Sequence, residues 1–176
     1  MLRRVLPLLV VAAVLVGCAP VQPVSEATTD PVSEETPRAA VLTPGESLVA
    51  RAGSELGGEV LPAGYSFEDA VDVDGSGLVS HIYGGPEGPA GPVLYIHTGG
   101  STAALTGRYA AAVQERLPGV SDNFLVTIAR DRDKVRRTNI TIVTIDASPA
   151  GVVRLIGELP EADVVLTARR LVDGPS

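Results

Sequence analysis

The chain holds one cysteine and no tryptophan in 176 residues. A single thiol excludes an intrachain disulfide, so any domain outside the cytoplasm must rest on its apolar core alone. Aromatic side chains are scarce too, with two Phe and four Tyr, and the one Met is the initiator. Val, Leu, Ile and Ala therefore have to build that core, which is feasible in one domain of well over ~100 residues. Positive charge is thin. Lys134 is the lone lysine, and the formal net charge is −7. An acidic surface is repelled by nucleic acid and by anionic lipid headgroups, so no nucleic-acid partner is expected. No apolar run is long enough to span a bilayer: the stretch from Val5 to Val16 covers about 12 residues, where a helix needs ~20.

That short run follows Arg3 and Arg4 and ends in small residues, the three parts of an export signal. Leu15, Val16, Gly17 and Cys18 at its end resemble the lipobox of bacterial lipoproteins. The resemblance implies that residues 1–17 are removed and that Cys18 receives a diacylglycerol and becomes the first residue. It further implies anchorage by lipid at the outer face of the cytoplasmic membrane, with no cofactor beyond the acyl chains. One chain holds marginally and two hold firmly, at ~0.8 kcal/mol per buried methylene. Gly17-Cys18-Ala19 also fits ordinary cleavage after Ala19, which would leave a free protein. Lipidation accounts for the lone cysteine, which would otherwise be a reactive thiol. Loss of Arg3 and Arg4 takes the net charge from −7 to −9, so attachment must come from lipid.

Residues 18–47 read as a disordered tether. Pro20, Pro23, Pro31, Pro37 and Pro44 interrupt any helix, and Glu26, Asp30, Glu34 and Glu35 add charge. Residues 48–176 read as one α+β domain. A weak helix is expected from Glu46 to Leu56, then strands at Val71–Asp74, Leu78–Tyr83 and Val93–Thr98. Ser101 or Thr102 would cap a helix through Leu117, with Leu105, Tyr109 and Val113 four apart. Strands follow at Phe124–Arg130 and Thr138–Ile145, with a charged turn at Asp131–Arg137 between them. Pro149 would open a second helix through Leu159, and Ala162–Leu171 would close as a strand. From Val93 onward this is the β-α-β-β-α-β order of a ferredoxin-like split βαβ fold, preceded by an N-terminal hairpin or short extra strands. Whether Leu78–Tyr83 pairs with Val93–Thr98 stays open.

Three stretches carry candidate chemistry. Asp72, Asp74 and Ser76, with Gly77 after them, match the opening ligand positions of an EF-hand calcium loop. The twelfth position is Tyr83 instead of Glu, and Asp-Gly between apolar residues is also a hairpin signal. His81 shares a strand face with Tyr83, and His97 with Tyr95. Should the two strands pair, two imidazoles and two phenols could converge on a transition metal or a ring-shaped ligand. Without convergence they are half-exposed strand residues. Ser101 follows Gly99-Gly100 between strand and helix, but both histidines precede it. That order excludes the Ser-acid-His succession of α/β-hydrolases.

The expectation is thus a lipid-anchored extracytoplasmic protein with a non-enzymatic binding domain for a small ligand or another envelope protein. The alternative is a metal-binding or enzymatic envelope protein using His81 and His97.

Overall fold

In the computed structural model, the structure describes residues 41–73, 77–99, 113–132 and 137–174. The lipobox (Leu15, Val16, Gly17, Cys18), most of the expected tether, the calcium candidates Asp74 and Ser76, and the helix cap Ser101 or Thr102 lie outside them.

The first element, α1 (Pro44–Ala52), starts inside the stretch read as tether. Its start is locally encoded. Thr43 Oγ1 accepts from the Glu46 amide at 3.2 Å, Glu46 Oε2 accepts from the Thr43 amide at 2.8 Å, and Pro44 fills the first helical position. This reciprocal box satisfies two donors that a helix N-terminus otherwise leaves unpaired. Seven strands follow: β1 (Ser66–Val73), β2 (Leu78–Gly84), β3 (Val93–Gly99), β4 (Glu115–Arg116), β5 (Leu125–Arg132), β6 (Asn139–Asp146) and β7 (Val152–Gly157). The last element is α2 (Glu161–Asp173).

The strands form one sheet in the order β1-β2-β3-β7-β6-β5-β4, antiparallel at every pairing. It consists of two meanders, β1 to β3 and β4 to β7. Pairing of Leu94–His97 with Arg154–Gly157 sews them together at the centre. The open question of the hairpin is settled: β2 and β3 pair over their whole length, from Leu78 with Gly99 to Gly84 with Val93.

This overturns the ferredoxin-like α+β expectation. Among the described residues the protein is mostly a seven-stranded antiparallel sheet with two helices, and the strand-helix alternation fails at three places. The expected helix from Pro149 to Leu159 is strand β7, all six of whose residues are buried. A run that is apolar except for Arg154 shows little period of its own, and its shortness and the bracketing Gly151 and Gly157 mark it as a strand. The expected strand Ala162–Leu171 is helix α2. Val164, Thr167, Ala168 and Leu171 face the core at a spacing of three and four, behind an acidic first turn of Glu161 and Asp163. That periodicity outweighs the β propensity of Val164-Val165. The expected helix to Leu117 does not reach its end, because Glu115–Arg116 is an edge strand on β5.

Both helices lie on one face of the sheet, α1 against β3 and β7, α2 against β6 and β7. The core between them contains Leu48, Ala52, Leu94, Ile96, Val143, Ile145, Val153, Leu155, Val164 and Leu171. Close approach there is allowed by glycine: a Cβ on Gly157 would stand 2.7 Å from Val164 Cγ2, so α2 lies directly on β7. Two arginines tie the helices down. Arg51 of α1 donates to the Leu171 carbonyl at 2.5 Å, where a cation also complements the C-terminal end of α2. At the other end of α2, Arg130 of β5 grips Glu161 through two bonds of 2.6 and 2.7 Å and reaches Glu115 at 3.1 Å.

Candidate functional site

Residues paired across an antiparallel sheet project from the same face, so the register decides which side chains can meet. In β2 and β3, Tyr83 stands opposite Leu94 and His81 opposite Ile96. Those pairs point into the helix layer. Ile82 stands opposite Tyr95 and Ser80 opposite His97, and these point to the second face. The hairpin therefore brings the strands together but separates the side chains: Tyr83 and His81 lie on one face, Tyr95 and His97 on the other. A one-residue offset is enough to do this, since strand side chains alternate. The two imidazoles cannot close on a shared metal, and among the described residues no group of three or more His, Cys, Asp or Glu could hold one.

Tyr83 is fully buried, and its hydroxyl is part of the scaffold. It donates to the Ser54 carbonyl at 3.2 Å and accepts from the Leu56 amide at 3.3 Å, fastening the chain after α1 to the sheet. Burial raises its pKa from the ordinary phenol value. Phe67 of β1 packs edge-on against Tyr83, 5.9 Å between centroids, and lies 6.1 Å from the ring of His81. His81 is buried in this aromatic group, with no hydrogen-bond partner at Nδ1. Asp72 sits in β1 opposite Val79. The Asp-Gly-Ser-Gly stretch after Val73 joins two strands whose ends pair Val73 with Leu78, where the calcium loop is flanked by helices.

The second face carries no helix among the described residues, and here the side chains sort into rows. One row crosses the sheet as Ser80, His97, Arg154, Thr144 and Thr127, on β2, β3, β7, β6 and β5. Every member is polar. The next row, two residues along each strand, is Ile82, Tyr95, Ile156, Ile142 and Ala129. Apart from the Tyr95 hydroxyl it is apolar, and Ala129, Ile140, Ile142 and Ile156 form a buried cluster with Tyr95 packed on it.

Arg154 is the centre of the polar row. It is 5% exposed, and among the described residues its guanidinium has one hydrogen bond, from Nε to Thr144 Oγ1 at 3.2 Å. The ion pairs among the described residues belong to Arg130 instead. Asp146, the carboxylate two residues along β6 from Thr144, is used in its own turn, where it accepts from the amide and hydroxyl of Ser148. Burial lowers the Arg154 pKa from its ordinary value. His97, directly across β3 from Arg154, is pushed down to about 4, first by burial and then by the Arg154 charge. It is a neutral imidazole at physiological pH. Its ring lies 6.5 Å from that of Tyr95, at an interplanar angle of 71°.

The reading from sequence had Tyr95 and His97 but missed Arg154. The signal was there: one charge inside the run Val152–Ile156, a residue type almost never buried unless paired. It is obscured because that run also reads as an amphipathic helix, where an arginine simply faces water. Chemically the row offers a guanidinium, an imidazole and hydroxyls side by side, a donor set for an oxyanion. No family model, curated protein or solved structure matches this chain.

Proposed function

We propose that the protein is a lipid-anchored extracytoplasmic binding protein that recognises a small ligand or partner with the second face of its sheet. Arg3-Arg4, the short apolar run and the Leu15-to-Cys18 box support export and acylation at Cys18. Helix α1, capped at Thr43, follows that cysteine by about two dozen residues in the chain. No helix among the described residues is long and apolar enough to cross a membrane. The observation that carries the binding reading is the polar row centred on Arg154. Helices α1 and α2 pack on one face of the sheet, and the donor side chains of the polar row lie on the other.

Two measurements test this. Intact mass of the protein from native membranes should start at Cys18 and carry the diacylglycerol, and Cys18→Ser should release it from the membrane fraction. An unmodified thiol, or a chain starting at Pro20, would refute the anchor. For the binding surface, amide chemical shifts from a small-molecule screen should cluster at Tyr95, His97, Ile142 and Ile156. Shifts confined to the groove between α1 and the β4–β5 loop, lined by Ser47, Asp122 and Phe124, would refute it.

A further inference from the structure

We infer that the cleft between the β5–β6 hairpin and the start of α2 binds a small hydrophilic anion, with its oxyanion head against Arg132, Thr141 and the first amides of α2. This site lies on the helix side of the sheet and does not depend on the reading of the second face.

The strand register builds it. Arg130 pairs with Thr141 and Arg132 with Asn139, so these four side chains share a face. It is the face on which Thr141 stands beside Gly157, under α2. Between them and the β7–α2 turn is a cavity of about 880 Å³. Thr141 and Leue159 are buried in its floor, while Arg132, Asn139 and Glu161 are exposed at its rim. A second cavity of about 470 Å³, beside Pro92, shares Thr138 and Glu158 with the first, so the cleft continues towards β3. Small-molecule sites have volumes of this order, ~300–1,000 Å³.

What the cleft has to spare is donors. Its carboxylates are in use. Glu161 gives both oxygens to Arg130, at 2.6 and 2.7 Å, Asp131 Oδ1 accepts from the Arg132 amide at 2.7 Å, and Glu158 has a partner as well. The donors are uncommitted. Thr141 is 6% exposed, and its hydroxyl meets no acceptor among the described residues. The Thr138 hydroxyl oxygen is buried without a partner. Arg132 has no ion pair among the described residues, where Arg130 has two. No side chain caps α2, and the amides of Glu161 and Ala162 precede the first bonded one, that of Asp163. Unpaired amides and the roughly half positive charge of a helix N-terminus favour an anion. Arg130 neutralises Glu161, so that carboxylate does not repel a guest as a bare charge would.

A guanidinium beside a hydroxyl takes a carboxylate or a phosphate alike, and the probes separate the two. The rest of the cleft is lined by Thr138, Asn139 and Asp131, so the body of the guest is hydroxylated instead of hydrocarbon. A bare oxyanion would leave most of the cavity to water. A neutral polyol would leave Arg132 and the α2 amides unpaired.

The test uses the purified full chain carrying Cys18→Ser, with glucose 6-phosphate, gluconate, glucose and inorganic phosphate as probes, followed by amide chemical shifts. One of the two charged polyols should bind about tenfold tighter than glucose and than inorganic phosphate, and which one does so identifies the head. Shifts should centre on Thr141, Glu161 and Ala162. In Arg132→Gln the preference for the charged polyol over glucose should fall to about one, with the urea midpoint unchanged because the side chain is exposed. Arg169→Gln, on the exposed side of α2, should keep the preference. An undiminished preference in Arg132→Gln, an equal loss in Arg169→Gln, equal affinity for glucose and the charged polyols, or no binding of either charged polyol would overturn the inference. Shifts centred on Tyr95 and His97 would overturn it too, while supporting the second face as the binding surface.

Discussion

Replacing Arg154 by Met should make the ligand-free protein more stable. The guanidinium is 5% exposed and, among the described residues, holds one hydrogen bond, at 3.2 Å to Thr144. Desolvating such an ion costs several kcal/mol even after relaxation. One hydrogen bond from a charged donor returns about 1.5–3 kcal/mol. Methionine keeps an unbranched apolar stem between His97 and Thr144 and leaves no large cavity, and Thr144 can turn its hydroxyl. Exchanges of buried ions for hydrophobes are neutral or stabilising by ~1–4 kcal/mol, and about 1–2 kcal/mol is expected here. With an m-value of ~2 kcal/mol/M, the urea midpoint should rise by ~0.5–1 M. Far-UV circular dichroism at pH 7.5 reads this directly, which matters in a chain without tryptophan. A second arm isolates the hydrogen bond. Thr144→Val should destabilise the parent chain by about 1.5–3 kcal/mol and be nearly neutral beside Arg154→Met. A fall of more than ~1 kcal/mol on Arg154→Met alone would refute the reasoning, because it would show that the protein itself rewards the charge.

Three further outcomes follow from the geometry. His97, held near 4 when folded against ~6.5 when unfolded, takes its proton only in the unfolded chain between those values. Stability is therefore full above pH 6.5 and falls by ~1.4 kcal/mol per unit as acid lowers the pH towards 4. His97→Gln should flatten urea midpoints across that window, and an unchanged slope would count against the burial of the ring. Tyr83→Phe strands the Ser54 carbonyl and the Leu56 amide and should cost about 1–3 kcal/mol in urea denaturation; a loss below ~0.5 kcal/mol would mean that water replaces the hydroxyl. Gly157→Ala places a methyl 2.7 Å from Val164 and 2.8 Å from Leu159 and should cost about 1–3 kcal/mol. Gly58→Ala meets open space and should leave the midpoint where it is.

Much of the fold was legible wherever a segment had a clear period or a clear boundary. The strands β2, β3, β5 and β6 follow from alternation and turn residues. The start of α1 is written in Thr43, Pro44 and Glu46, although it was expected two residues later. The two errors at the C-terminal end have one physical source, the weakness of local propensity against burial. Val152–Gly157 is buried on both sides because it is the strand that joins the two meanders, so apart from Arg154 no alternation is left to read. Val164-Val165-Leu166 looks like strand by composition, yet the residues that reach the core are spaced for a helix.

The candidate site divides along the same line. Sequence alone gives the residues read as an export pattern ending at Cys18, the net negative charge, the disulfide-free aliphatic composition, and which residues share a face within each strand. Those properties depend on near neighbours in the chain. Only the tertiary structure decided that His81 and His97 face opposite ways, and that His97 meets Arg154, and Arg154 in turn Thr144, from positions 57 and 47 residues beyond His97 in sequence. Register is fixed by pairing between distant strands and by the helices that bury one side of the sheet. A shift of one residue would have exchanged the faces without changing a letter of either strand.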